Sequence, residues 1–198
     1  MIQKIYFIFF IAILFLGCNE NRKVNLVEAK FDVNDSLLGR ELRDTSLNFS
    51  IYVPGQYQTI DDSLFKLFED KLQVADYKKA KLLYGFISQI DSSSMLVLDV
   101  SNVNGGVFED LSLNYISTLN ANDEWYDVQK QDFTHNCFEV EQYLMQNRTV
   151  MNFKLVCYPP NAPDPTLILV YFINRNNFKQ NIKSVESSIG YLKCITKK

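Results

Sequence analysis

Apolar residues near the start of the chain recur in two patterns, one typical of strands and one typical of helices. Over residues 47–53 every second residue is apolar, which predicts the second strand of a β-hairpin over residues 37–57. Arg43-Asp44-Thr45 is predicted to be the turn. Apolar residues spaced three and four apart then predict an amphipathic helix after Thr59 or Asp61, with its stripe on Leu64, Leu67, Phe68, Leu72 and Ala75.

The middle of the chain is less regular. Residues 81–90 fit a helix or a strand, and we favour a strand because the turn-forming run 91–94 (DSSS) leads into a clear strand at 95–103. A shorter helix is predicted over residues 108–119. Residues 120–135 are polar with scattered aromatic residues, and we expect an irregular loop there, of the kind that often carries function.

The last third predicts a second hairpin, from residues 137–145 and 149–158. A two-residue turn at Asn147-Arg148 would pair Val140 with Leu155 and set Glu141 opposite Lys154. After a proline-rich connector, residues 166–173 (TLILVYFI) are apolar on both faces, as in a central strand covered on both sides. Residues 176–193 predict a closing helix. We therefore expect one α+β domain over residues 37–198, an antiparallel β-sheet flanked by helices on both faces.

The first eighteen residues follow a different pattern. Lys4 precedes twelve apolar residues (5–16), fewer than the roughly 20 that a spanning helix needs but enough for a signal-peptide core. Phe15 is too bulky for ordinary signal-peptidase cleavage after Gly17, whereas Gly17-Cys18 fits the lipobox of bacterial lipoproteins. We predict that residues 1–17 are a lipoprotein signal peptide and that Cys18 carries acyl chains such as palmitate. An uncleaved anchor helix is the alternative.

Residues 18–36 are polar and are predicted to form a flexible, lipid-anchored tether. The run after the cysteine (NENRK, 19–23) lacks the acidic residues that direct some lipoproteins to the cell surface. We therefore expect an envelope protein held in the outer membrane and facing the periplasm. Its expected partners are the membrane, through the lipid on Cys18, and an envelope protein.

Composition is that of an ordinary globular protein, with 47% hydrophobic and 22% charged residues and a net charge of −3. Runs of Lys or Arg are no longer than two residues, which argues against a nucleic-acid partner. The sequence contains none of the common hydrolase, zinc-protease or nucleotide-binding motifs. We expect no cofactor, no metal and no enzymatic activity. The carboxylate pairs Asp61-Asp62 and Glu69-Asp70 are interpreted as the solvated face of the first helix.

The cysteines and the single histidine do not indicate a metal site or a catalytic site. The predicted register places Cys137 and Cys157 on opposite faces of the hairpin, so we expect no disulfide between them. A pair between Cys157 and Cys194 stays open, and buried free thiols are favoured. His135 lies near Asp132 and Cys137, but zinc sites need three or four ligands at set spacings. A loop histidine is favoured over a Cys–His catalytic pair.

A set of aromatic residues is the best candidate for a partner-binding surface. Aromatic side chains often anchor interfaces. The set comprises Trp125, Tyr126, Phe133, Tyr143 and Tyr158. Packing of the 120–135 loop onto the sheet explains these residues about as well.

Residues 49–55 (FSIYVPG) and 184–189 (SVESSI), within this order of elements, resemble the PsbP-like fold. That fold is shared by photosystem extrinsic subunits and by small bacterial lipoproteins of the DcrB and LpqN type. The resemblance implies an antiparallel sheet with helices on both sides, and binding or scaffolding instead of catalysis.

The sequence thus predicts a lipid-anchored accessory or partner-binding protein of the cell envelope. One alternative is a small-molecule or lipid-binding module with a pocket between the closing helix and the sheet. Another is an immunity or chaperone protein for a secreted toxin.

Overall fold

The computed structural model describes residues 26–74, 80–102, 127–162 and 164–195. Short 3-10 turns lie at Asp35–Leu37 and Arg175–Asn177. None of the helices within these ranges is long and apolar enough to cross a membrane. In chain order the strands and helices are β1 (Leu38–Asp44), β2 (Phe49–Pro54), β3 (Tyr57–Thr59), α1 (Asp62–Val74), β4 (Lys81–Ser88), β5 (Ser94–Asp99), β6 (Asp127–His135), β7 (Phe138–Gln146), β8 (Val150–Tyr158), β9 (Leu167–Asn174), α2 (Phe178–Gly190) and β10 (Lys193–Cys194).

Seven strands form the main sheet, in the order β3-β4-β5-β9-β8-β7-β6, and every neighbouring pair is antiparallel. The predicted central strand is confirmed, because β9 lies between β5 and β8 and its successive residues Leu169 and Val170 are both fully buried. A strand has apolar residues at successive positions when both faces of its sheet are covered by other parts of the protein.

The predicted N-terminal hairpin is confirmed as β1 and β2, which form a separate three-stranded sheet with β10. Strand β1 runs to Asp44, which pairs with Phe49, so the turn comprises residues 45–48 and begins two residues later than predicted. Helix α2 packs between this small sheet and the main sheet. The resulting core combines residues of all three: Ile51, Val53, Leu155, Leu169, Val185 and Ile189.

The opposite face of the main sheet carries a second apolar cluster, which includes Leu96, Val156 and Val170. Phe65 and Phe68 of α1 pack against it. The structure thus has the α+β class and the antiparallel sheet that the sequence predicts. The predicted helix over 108–119 lies outside the described residues, so helices flanking both faces along the whole sheet stay a prediction.

Residues 127–135 form strand β6, where an irregular loop was expected. The strand pairs with β7 over its whole length and lies at the edge of the main sheet. An edge strand can keep polar side chains toward water, so its apolar alternation is weak. Phe133 and His135 are buried in it, while Gln131 and Asp132 are exposed.

The predicted register of the β7–β8 hairpin is wrong by two residues. Val140 pairs with Cys157, and Lys154 pairs with Tyr143 instead of Glu141. The turn is longer than predicted because the Asn147 carboxamide oxygen accepts hydrogen bonds from the backbone N–H groups of Thr149 (2.9 Å) and Val150 (2.7 Å). A shift of two residues keeps every side chain on its predicted face.

A disulfide joins Cys137 to Cys194, with Cα atoms 6.0 Å apart, and Cys157 is a buried free thiol. The structure therefore overturns both the open pairing of Cys157 with Cys194 and the free state expected for Cys137. The bond forms because β10 returns beside Phe49 of β2, after helix α2 has crossed the sheet. That return brings Cys194 to the turn between β6 and β7.

The predicted tether is shorter than residues 18–36, because its described part from Val27 onward is held on the domain. The Ala29 N–H donates to the Thr134 carbonyl at 2.8 Å, and the Thr134 N–H donates to the Val27 carbonyl at 3.1 Å. Gly190 permits this close approach, since an added Cβ would lie 2.5 Å from Val33 Cγ2. Residues 27–34, which we call the docked segment, thus belong to the domain.

Replacing Cys137 and Cys194 with serine should lower the free energy of unfolding by about 2–4 kcal/mol. The bond closes a loop with a sequence separation of 57 residues, which restricts the unfolded chain. Denaturant unfolding measures the change. A reductant should lower the stability of the wild-type protein to that of the variant and leave the variant unchanged; equal stability without reductant would contradict the prediction.

Candidate functional site

A groove of about 340 Å³ lies between α2, strands β6–β8 and the docked segment. We call it the helix groove. Its floor is apolar, and its rim carries the polar side chains of Lys30, Gln131, Gln142 and Glu186. Ligand pockets in proteins have volumes of about 300–1,000 Å³ and combine apolar walls with a few polar groups. The floor is formed by Phe31, Phe133, Phe153, Ile182, Val185 and Ile189.

Two of the three walls follow from simple patterns in the sequence. Ile182, Val185 and Ile189 recur at helical spacing and turn one face of α2 toward the sheet. Alternation along β6 and β8 places Phe133 and Phe153 on the same side. The third wall is the docked segment, whose Phe31 ring meets Phe133 edge-on at a centroid distance of 6.0 Å. This wall lies in a part of the chain that was predicted to be flexible.

One end of the groove is closed by the β6–β7 turn. The ring of His135 packs edge-on against Phe31 at 4.8 Å, and its Nε2 lies 3.2 Å from the Gly190 carbonyl oxygen. The Asn136 carboxamide donates to the Leu192 carbonyl at 2.6 Å. His135 is thus a buried strand residue and not a loop histidine. The disulfide to Cys137 removes the thiol on which the Cys–His pair depends.

The five aromatic residues of the predicted partner-binding surface do not share one face. Phe133 is buried against α2, in the floor of the helix groove. Tyr143 and Tyr158 lie on the opposite face of the sheet, because Phe133 pairs with Val140 and the odd-numbered residues of β7 point the other way. The structure therefore removes Phe133 from that surface, and it also buries Tyr143, which is 9% exposed. Trp125 and Tyr126 lie outside the described residues.

Tyr143 belongs to a polar group on that opposite face, which we call the hairpin cluster: Lys130, Glu141, Tyr143, Lys154 and Tyr158. The Tyr143 hydroxyl donates to Glu141 Oε2 at 2.9 Å, and Lys130 Nζ lies 3.4 Å from Glu141 Oε1. Both lysine ammonium groups face the Tyr143 ring, Lys130 at 5.5 Å and Lys154 at 5.6 Å from its centroid. Burial, followed by the Glu141 carboxylate, raises the pKa of Tyr143 and of Tyr158.

The structure buries Lys154, which the sequence set opposite Glu141. Its side chain is 1% exposed, and Nζ has no hydrogen-bond partner among the described residues. Burial lowers the pKa of Lys154 to about 7, against a smaller opposing effect of Glu141. Sequence patterning could not reveal this burial, because a lysine at an alternate strand position normally indicates a solvent-facing side.

The carboxylate pairs have structural positions at the surface. Asp61 caps α1, since its Oδ1 accepts hydrogen bonds from the Leu64 N–H (2.9 Å) and the Ser63 hydroxyl (2.5 Å). Hydrogen bonds from Ser63 and Leu64 lower the pKa of Asp61. Asp62 and Asp70 are exposed. Across the parts of the chain that the structure describes, no group of three His, Cys, Asp or Glu residues could hold a metal ion.

No protein-family model matches the chain, and no curated protein matches its sequence. Among solved structures, the chain is similar to the solution structure of cyanobacterial PsbP (CyanoP) from Synechocystis sp. PCC 6803, with 10% sequence identity and a TM-score of 0.47. The match covers 84% of this chain and 98% of that one. The likeness concerns the fold and is too distant to carry an argument about function. The DcrB and LpqN type of the resemblance stays a prediction.

Replacing Lys154 with methionine should stabilise the protein at pH 7 by roughly 1–4 kcal/mol, because it removes a buried charge at nearly the same volume. The wild-type stability should rise between about pH 7 and 8.5, since the unfolded lysine, with its ordinary pKa of 10.5, binds more protons there than the folded one. The variant should lose this slope, which can reach about 1.4 kcal/mol per pH unit.

Denaturant unfolding across that pH range measures both effects. The range stops at about pH 8.5 because burial raises the pKa of the Cys157 thiol above its ordinary 9.0, which gives a slope of opposite sign at higher pH. Lys130→Met, which changes the exposed lysine on the same tyrosine ring, should keep the wild-type slope. An unchanged slope in Lys154→Met would contradict the assignment.

Proposed function

We propose that this protein is a lipid-anchored, non-catalytic binding protein of the bacterial cell envelope, and that it holds a single-chain amphiphile in the helix groove. The observation that carries this proposal is the groove itself, an apolar floor of three phenylalanine rings beneath a polar rim. It lies where the sequence predicted a pocket for the small-molecule or lipid-binding alternative, between the closing helix and the sheet.

The chemistry of the groove favours an amphiphile over a polar metabolite. Phe31, Phe133 and Phe153 offer aromatic surface to an apolar chain. Lys30 and Glu186 at the rim are exposed and suit a polar end group that stays in contact with water. A fully polar ligand would leave the floor uncovered and would lose its own hydration over the apolar rings.

The proposed location rests on the N-terminal pattern. Gly17-Cys18 after a twelve-residue apolar run supports lipid attachment at Cys18, and the missing acidic run supports a periplasm-facing position in the outer membrane. An anchor in a membrane places the domain beside a source of acyl chains. Val27, where the docked segment begins, follows Cys18 by nine residues in the sequence, so a lipid on Cys18 would keep the groove near that surface.

A partner-binding role is the second candidate. It rests on Trp125 and Tyr126 of the sequence, which lie outside the described residues, and on the half-buried Tyr158 of the hairpin cluster. The toxin-immunity and chaperone roles stay expectations of the sequence. The helix groove favours ligand binding over each of them.

Filling the groove should abolish binding. Gln131→Trp places a large ring at the exposed rim, and we expect the purified full-length protein to lose a bound amphiphile that native mass spectrometry detects as a mass adduct on the wild type. Gln129→Trp is the matched control, because residue 129 lies two positions earlier on the same strand face and does not line the groove. Wild-type protein without an adduct, or equal adducts on both variants, would overturn the proposal.

Cys18→Ser should abolish membrane anchoring, because serine offers no thiol for the acyl chains. Each buried CH2 contributes about 0.8 kcal/mol, so two or three chains anchor the wild type stably. Detergent phase partitioning and metabolic labelling with a palmitate analogue check the result. Labelled Cys18→Ser protein in the detergent phase would contradict the assignment of the attachment site.

A further inference from the structure

Two neighbouring side chains of β8 are buried without the hydrogen bonds that their chemistry requires. Asn152 is fully buried, and neither its Oδ1 nor its Nδ2 has a hydrogen-bond partner among the described residues. Lys154 is 1% exposed, and the same holds for its Nζ. Buried polar groups in folded proteins are nearly always satisfied, so two such residues side by side call for a functional explanation.

The two residues face the same side of the sheet. They occupy alternate positions on β8, about 7 Å apart along the strand, and point away from the helix groove. Asn152 pairs with Met145 and Phe172 of the adjacent strands, and Lys154 pairs with Tyr143 and Val170. Three of these four paired neighbours, Met145, Phe172 and Val170, are apolar.

Neither Glu141 of the hairpin cluster nor the nearby Asp132 forms an ion pair with Lys154. The Glu141 carboxylate is shared by the Tyr143 hydroxyl at 2.9 Å and Lys130 Nζ at 3.4 Å. Asp132 lies 3.7 Å from the same Lys130 Nζ. Lys154 is left with the face of the Tyr143 ring, which supplies a weaker interaction than an anion.

We propose that Lys154 and Asn152 form a binding site for the carboxylate of a small organic acid, on the sheet face opposite the helix groove. One carboxylate oxygen would accept from Nζ of Lys154 and the other from Nδ2 of Asn152. The carbon chain of the acid would contact Met145, Val170 and Phe172.

A singly charged carboxylate fits this site better than a phosphate does. One buried ammonium neutralises one negative charge, whereas a dianion would bring uncompensated charge into apolar surroundings. Lys130 and Glu141, which lie beside the Tyr143 ring, have side chains that are 36% and 30% exposed.

The test is thermal unfolding of the full-length protein at about pH 6, below the pKa of about 7 to which burial lowers Lys154. Sodium acetate and sodium butyrate should raise the midpoint in a saturable manner, and sodium chloride at the same ionic strength should not. Lys154→Met should lose the response, while Lys130→Met should keep it. A chloride response equal to that of acetate, or an acetate response in Lys154→Met equal to that of the wild type, would overturn the proposal.

A second variant tests the site from within. Asn152→Asp keeps the side-chain shape and supplies the missing carboxylate, so it should unfold at a higher temperature than the wild type without acetate and should no longer respond to it. This variant decides the matter if Lys154→Met fails to fold. An Asn152→Asp variant that is destabilised and still responds to acetate would contradict the proposal. The result is independent of the helix groove, since the Gln131→Trp change lies on the other face.

Discussion

Helix α2 is attached to the rest of the domain at both of its ends, and the shape of the protein depends on this double attachment. At the first end, Asn177 and Asn181 donate to the Asp91 carboxylate, which lies in the turn between β4 and β5. At the other end, the disulfide between Cys137 and Cys194 ties the chain after the helix to the β6–β7 turn. The helix thus spans the sheet from one edge region to the other, which fixes the width of the groove beneath it.

The first attachment is electrostatic and the second is covalent. The first therefore depends on the ionisation of Asp91, and the second depends on the redox conditions. Burial acts to raise the pKa of Asp91, but hydrogen bonds from the Ser93 N–H, Asn177 and Asn181 outweigh it and lower the pKa. The carboxylate therefore stays ionised over the physiological range, and the charge-assisted contacts persist there. The disulfide depends on the oxidising conditions expected of an envelope compartment. Loss of either contact would free one end of α2.

Much of the fold could be predicted from apolar periodicity, and the failures have a common physical origin. Strand β9 and helix α2 were predictable because their apolar residues are set by what covers them. Strand β6 was missed because an edge strand needs little apolar alternation, and β10 because two residues carry no periodic signal. The Cys137–Cys194 bond depends on that two-residue strand. Groove residues such as Phe31 could not be predicted from the sequence, because they contact residues of the sheet that are distant in sequence.

The two faces of the β6–β8 region differ in chemistry because alternation along three paired strands sorts their side chains. One face offers Phe133 and Phe153 to an apolar chain, and the other buries Lys154 beside Asn152. A buried lysine destabilises the fold, and a structural disulfide and a firmly attached helix help to offset that cost. A protein that needed stability alone would place an apolar residue at position 154. Its retention of an amine there is therefore best explained by a ligand that the amine binds.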